Sequence, residues 1–311
     1  MTREFSECGG PLPMVTEREL LPELFRAADR ASLRGQFQTV RLSRQQLGLL
    51  TAASVFSSFD PTAGRLHWAS WLAAVLFALA AWTTWVIHRQ DPQALWYEGR
   101  ALAESMKTLA WKYSIRADPF TPPGNQRDPD ALYRLQLGDV LHTFRRSRAL
   151  PSHVDSGITP AMRRLRDAPL GVRHDVYLRE RIRIQHEWYT VKAARCEVNG
   201  RRAGHLAMAF PLFGVLFLIL RAGGWSPFDT LGFVSAITAS VAAWSQLRQY
   251  SPLAAAYRVA ADELELIRVQ LSALDLNDPN AEHLWSQLTR DAEDAVSREH
   301  TTWQARREMR V

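Results

Sequence analysis

Four apolar segments, arranged as two pairs, constrain this chain more than anything else in it. The clearest is Trp68–Ile87, WASWLAAVLFALAAWTTWVI, which contains no charged residue. At about 1.5 Å of rise per residue, a run of roughly 20 residues crosses a hydrocarbon core. A shorter run, Leu47–Phe59, lies just upstream, and the pairing recurs with His205–Leu220 and Thr230–Leu247. Each pair is joined by a short segment, DPTAGR in the first and RAGGWSPFD in the second, with Asp60–Pro61 as a turn signal. The pattern predicts an all-α membrane protein: two transmembrane helical hairpins with spans at 47–59, 68–87, 205–220 and 230–247, carrying extended cytoplasmic helices.

The mean hydropathy of -0.21 looks soluble only because very polar flanks dilute these runs. The net charge is +6, and it rests on arginine, since Lys107, Lys112 and Lys192 are the only lysines. Basic residues crowd the ends of the apolar runs rather than forming a nucleic-acid stripe with a recognisable module, so no nucleic-acid partner is expected. Cys8 and Cys196 make neither a disulfide framework nor a metal site. The start of the chain lacks the basic, apolar, small-residue design of a signal peptide, so the first span has to direct insertion.

Residues 1–15 read as a disordered tail. A helix from Glu17 to Gln46, with Leu20, Leu24, Ala27, Ala31 and Phe37 near one face, runs into the first span. After the second span a strong helix covers Leu95–Tyr113, then a Pro- and Gly-rich loop at 118–130, then a helix over Ala131–Arg148. Residues 151–159 read as a linker, and Pro160–Asp167 as a short helix. A long charged helix from Val172 to Arg202 continues into the third span, with Asn199–Gly200 as a loose point at the junction. Helices over Pro252–Ala273 and from Asn280 to about Arg307 close the chain. No strand alternation is visible. The halves also resemble each other: Arg258 follows Arg100 by 158 positions, and at that offset Ala261 matches Ala103 and Asp262 matches Glu104. The chain therefore reads as a duplication, with one unit over 16–150 and a second over 160–311.

Arginines flank the outer ends of the pairs: Arg26, Arg30, Arg34, Arg41 and Arg44 precede span one, and Arg195, Arg201 and Arg202 precede span three. The hairpin turns hold only Arg65 and Arg221. By the positive-inside rule both termini and the central region are cytoplasmic and the turns face outward. Trp68, Trp71, Trp82, Trp85 and Trp225 lie near span ends, as interfacial belts do.

The stretch from Ile158 to Cys196, with Arg173, Tyr177, Arg181, Gln185, Trp188, Tyr189, Lys192 and Ala193, is similar to the SLATT family, two-transmembrane effector domains associated with SMODS nucleotidyltransferases and SLOG sensors. The first half resembles another SLATT subgroup through Trp96, Arg100, Ala103, Glu104, Ser105, Lys107, Trp111, Tyr113 and Pro119–Phe120. This resemblance implies a tandem protein of bacterial conflict systems that perturbs the membrane on a nucleotide-linked or infection signal. It implies no catalytic residue and no cofactor. A nucleotide-signalling enzyme or sensor encoded nearby is the partner it points to.

Several constellations admit two readings. Arg100, Glu104 and Lys107 form a plus–minus–plus ladder beside Trp96 and Trp111. It is either an anion site with aromatic stacking or, more simply, charges paired at i, i+4 on a packed helix. His186–Glu187 lacks the second histidine of a zinc protease, because position 190 is Thr190. Thr51, Ser54 and Ser58 share a face of span one, and Ser235, Thr238 and Ser245 a face of span four. Small and hydroxyl residues allow close helix packing, and in an oligomer they line a pore. Neither span holds an ionisable side chain, which disfavours a coupled transporter or proton pump. Trp188 and Tyr189, midway along the long charged helix, are candidates to dock against the Leu95–Tyr113 helix and hold a closed gate.

The leading expectation is a multi-pass protein of the bacterial inner membrane that forms a homo-oligomer and permeabilises the bilayer. The alternative is a membrane-anchored scaffold or sensor that recruits a cytoplasmic partner. An enzyme comes last, for want of a nucleophile–base pair, a phosphate loop or a metal cluster.

Overall fold

The computed structural model describes residues 15–58, 68–121, 128–150, 157–224 and 231–308. Residues 1–14 of the expected tail, the first hairpin turn with Asp60–Pro61, residues 225–229 of the second with Trp225, and residues 151–156 of the linker lie outside these residues. Among the described residues every regular element is a helix.

The first unit comprises α1 (Glu17–Leu20), α2 (Glu23–Ser58), α3 (Trp68–Gln90), α4 (Pro92–Ser114) and α5 (Pro129–Thr143). The single helix expected from Glu17 is interrupted at Leu21, whose ψ is 131°. Pro22 causes this, because the proline ring pushes the preceding residue out of the helical region. From Glu23 the helix continues without a break into the first apolar run.

The buried face of α2 also differs from the expected one. Leu24, Ala28, Ser32, Gly35 and Thr39 face inward, whereas Phe37 is 64% exposed. The reason is the approach of α4. A Cβ on Gly35 would lie 2.5 Å from the backbone nitrogen of Trp96, and one on Gly99 would lie 2.7 Å from that of Ser32. Backbones this close accept only small side chains, so the larger apolar residues turn outward.

The second unit follows the same order: α6 (Pro160–Asp167), α7 (Leu170–Tyr177), a π-helical stretch over Leu178–Arg183, α8 (Ile184–Ala222), α9 (Leu231–Arg248), α10 (Tyr250–Ser272) and α11 (Ala281–Glu308). Here α8 packs on α9 and α10, as α2 packs on α3 and α4. The two returns match in detail. Asp91 between α3 and α4 has φ 38°, and Gln249 between α9 and α10 has φ 47°. These left-handed residues stand at the same 158-residue offset as Arg100 and Arg258. The chain therefore turns by one device twice, and the duplication is structural as well as sequential. Asn199–Gly200, expected to loosen α8, lies within continuous helix. A Cβ on Gly200 would sit 3.3 Å from that of Tyr250, so this glycine serves the close contact with α10.

Two helical stretches are long and apolar enough to cross a membrane, within Trp68–Ser114 and Leu170–Ala222. Their apolar windows have mean hydropathies of 1.7 and 2.1, yet only 17% and 6% of each is buried. A soluble core helix would be mostly buried; these faces need lipid. The shorter runs lie alongside them, α2 on α3 and α9 on α8, and α2 also packs on α9. Within the apolar zone this last contact joins the two units.

Candidate functional site: a buried charge cluster between the units

The extramembrane helices of both units converge on a set of charges. From the first unit, Glu17 at the start of α1 accepts a hydrogen bond from Trp111 Nε1 at 3.2 Å and pairs with Lys107 at 2.7 Å. On α4, Arg100 pairs with Glu104 at 2.8 Å, one helical turn apart. From the second unit, Arg181 meets Glu293 of α11 with two parallel bonds, Nε to Oε1 at 2.9 Å and Nη2 to Oε2 at 2.8 Å. Tyr177 donates to the same carboxylate at 2.9 Å. Both side chains of this pair are out of water, Arg181 at 1% and Glu293 at 0% exposure.

Burial works against the Arg181 charge, but Glu293, with lesser help from Glu17 and Glu104, more than offsets it and holds the guanidinium pKa above its ordinary value. Three carboxylates and three cations thus balance one another across the junction. A buried pair of this kind adds little net stability, but removing one member strands the other in a low dielectric. Burial and the Glu293 carboxylate likewise push the Tyr177 hydroxyl well up, so it stays a donor.

The ladder expected on α4 therefore divides: Arg100 and Glu104 pair locally, while Lys107 and Trp111 turn to Glu17. Trp111 is fully buried, edge-on to Tyr177 at 5.6 Å. Trp96 stacks on Tyr97, with its backbone against Gly35. Trp188 and Tyr189 lie 5.1 Å apart, and each meets Tyr257 of α10, at 5.5 and 5.8 Å. Arg100 stands over the Trp188 ring at 5.7 Å and Lys192 at 5.3 Å. Trp188 thus faces a cation of α4, across the junction of the units.

Arginines also close the end of α4. Arg173 and Trp285 both donate to the Ile115 carbonyl, at 3.0 and 2.8 Å, and Arg166 donates to Tyr113 and Phe120, both at 2.9 Å. The last carbonyls of a helix lack partners within it and carry partial negative charge, which cations satisfy. Arg173 also reaches Glu282 of α11. Two units and α11 are stitched together here by side chains whose partners are far away in sequence.

The membrane hydroxyls are placed differently. Thr51 Oγ1 and Ser240 Oγ share a hydrogen bond of 2.9 Å, and Ser54 donates to the Gly232 carbonyl at 3.0 Å, so both hold α2 to α9. Ser58 and Thr238 bond the carbonyls of Ser54 and Val234 in their own helices, at 2.9 and 2.8 Å. Ser245 is half-buried and Ser235 is exposed. Ser240, which the hydroxyl pattern had not singled out, is the partner of Thr51 across the two units.

The feature missed most completely is the π-helical stretch. Arg173, Tyr177, Arg181, Gln185, Tyr189 and Ala193 are all buried, at intervals of four residues. An α-helix repeats at 3.6, so a strict four-residue stripe drifts off its face. The wider π-turn over Leu178–Arg183 corrects part of that drift and keeps Arg181 aimed at Glu293. The spacing was present in the sequence as the signal.

Fold and cluster together define an internally duplicated, all-helical membrane protein whose extramembrane helices are locked by buried charge. Residues 22–174 match the family described as SMODS and SLOG-associating 2TM effector domain 3, and residues 177–303 match domain 1 of the same series. The chain is a tandem two-unit SLATT protein. SLATT domains are effector domains associated with bacterial conflict systems. The two matches meet inside α7, past the expected boundary at residue 160, so α6 falls within the first match. No curated protein and no solved structure matches the chain.

Proposed function

We propose that this protein is an effector that oligomerises in the bacterial inner membrane and permeabilises it when a nucleotide-linked or infection signal reaches its cytoplasmic helices. The observation that carries the reading is one helical path: the stretch holding Arg181 runs without a break through the Trp188–Tyr189 cluster into the apolar part of α8. Any tilt or turn at the locked end is delivered to the membrane end. The Glu293 clamp of α11 and the Arg100–Trp188 contact hold the resting state. Oligomerisation is supported by Val259, Leu266 and Val269, which stand 57%, 65% and 53% exposed on α10. An apolar row on an extramembrane helix fits a second copy of the chain. The arginine asymmetry supports cytoplasmic termini and a multi-pass topology.

The test is dye leakage and membrane potential on induction in a bacterial host with the full gene neighbourhood and an infection trigger. Trp188→Ala with Tyr189→Ala is expected to leave membrane abundance normal and to change potassium leakage in either direction. A normally abundant double variant with unaltered leakage, or a wild type that never depolarises cells, would refute the pore. Thiols placed at Thr62 and Ser226, beyond the described residues, should be labelled from outside intact cells; labelling only after lysis would reverse the topology.

A further inference from the structure

A groove of about 660 Å³ runs between the units, walled by α2, α8, α9 and the start of α10. Its two ends differ in chemistry. Arg44, Arg202 and Tyr250 stand at one end, and Ala52, Leu206 and Ile237 at the other. The polarity agrees on every wall. From Arg44 to Ala52, α2 advances about 12 Å into the apolar zone, and from Ile237 to Trp244, α9 returns about 10 Å toward the polar zone. The arginines therefore sit at the depth where a bilayer places its headgroups, and the apolar walls where it places the first part of its acyl chains.

Among the described residues Arg44 and Arg202 have no carboxylate partner, in contrast to the paired arginines of the charge cluster. Arg248 lies over the rings of Trp244 and Tyr250, at 5.9 and 5.7 Å, both of which line the groove. Its Nε is buried without a hydrogen-bond partner. Uncompensated guanidiniums above an apolar slot match an amphiphile with an anionic head, since arginine binds phosphate through paired N–H donors.

We infer that this groove binds an anionic glycerophospholipid, its phosphate between Arg44 and Arg202 and the upper part of an acyl chain along α2 and α9. The lipid would bridge the two units where α2 meets α9. This site is independent of whether the protein forms a pore.

Native mass spectrometry of the full chain in mild detergent tests it, with phosphatidylglycerol and phosphatidylcholine of the same acyl chains added in equal amounts. Two phosphate-facing arginines should favour retention of phosphatidylglycerol by about tenfold or more. Arg44→Ala with Arg202→Ala should bring the two lipids to near parity, while Arg89→Ala, outside the groove, leaves the preference intact. A second variant tests the slot itself. Gly48 lines the groove and a Cβ there meets nothing within 4 Å, so Gly48→Phe starts its side chain in open space and should abolish retention of either lipid. Equal retention by the wild type, or an unchanged preference in the double arginine variant, would overturn the site. So would phosphatidylglycerol held unchanged by Gly48→Phe, which would mean a headgroup bound at the surface only. A dimer that carries no lipid and forms regardless of added phosphatidylglycerol would instead assign the groove to a second copy, against the proposal.

Discussion

The two units use one architecture and close its main seam in two ways. In the first, α4 lies directly on α2, and Gly99 faces the backbone of Ser32 and Ala28. At the matching position of the second unit, 158 residues on, stands Tyr257, and a layer of rings with Trp188 and Tyr189 fills the seam between α8 and α10. The backbone-close seam depends on what is absent, and its tolerance to added atoms is small. The aromatic seam depends on what is present, and it accepts cations from its surroundings, Arg100 among them. The lesson is that a duplicated fold keeps its turns and helix order while its contacts diverge. In this chain the divergence places a rigid seam in one unit and a ring cluster in the unit whose long helix enters the charge lock.

The largest expected effect falls on that lock. Glu293→Ala strands Arg181 in the interior and should cost about 3–5 kcal/mol, seen as a large loss of thermal stability in detergent. Arg100→Ala leaves the buried Glu104 without this partner but opens the site to water, since Arg100 is itself 35% exposed, and should cost about 1–3 kcal/mol. Equal losses would mean that the cluster is a single solvated network.

Next come the glycines. Gly35→Ala and Gly99→Ala should each destabilise by about 1–3 kcal/mol, although alanine is the better helix former by up to about 1 kcal/mol. A neutral or stabilising outcome in the same melting assay would erase the distinction between the seams.

Tyr257→Leu removes two ring contacts while keeping apolar volume, and should cost about 1 kcal/mol. A loss as large as that of Glu293→Ala would make the aromatic seam, not the ion pair, the anchor of the second unit. The smallest effect is expected in the membrane. Thr51→Val and Ser240→Ala each break the hydrogen bond between these two hydroxyls of α2 and α9, and should cost about 0.6 kcal/mol in an SDS unfolding titration. Identical values for the single and double variants would confirm that they report one bond.

Much of this was legible in the sequence, and the misreadings have definite causes. The helix over Pro160–Asp167 and the helix running into the first apolar run follow from local signals: a proline at the first helical position after a capping threonine, and an apolar run. The inner face of α2 was misread because the apolar pattern assigns the largest residues to the core. Here the approach of a second backbone set the rule, and Phe37 lost its place to Gly35. Lys107 was read with Glu104 because both lie on one helix. Its partner, Glu17, stands on another, and no periodicity reaches that far.

What the sequence alone determined is the solvent and the plan. Apolar runs without charges require lipid, and the 158-residue repeat gives two units. These are properties of short segments and of composition. What only the tertiary structure decided is which charge meets which. Arg181 and Glu293 are 112 residues apart. Nothing in either neighbourhood names the other. They meet because α11 folds back over the π-helical stretch, and a charge is admitted to an interior only where the packed fold brings it a partner.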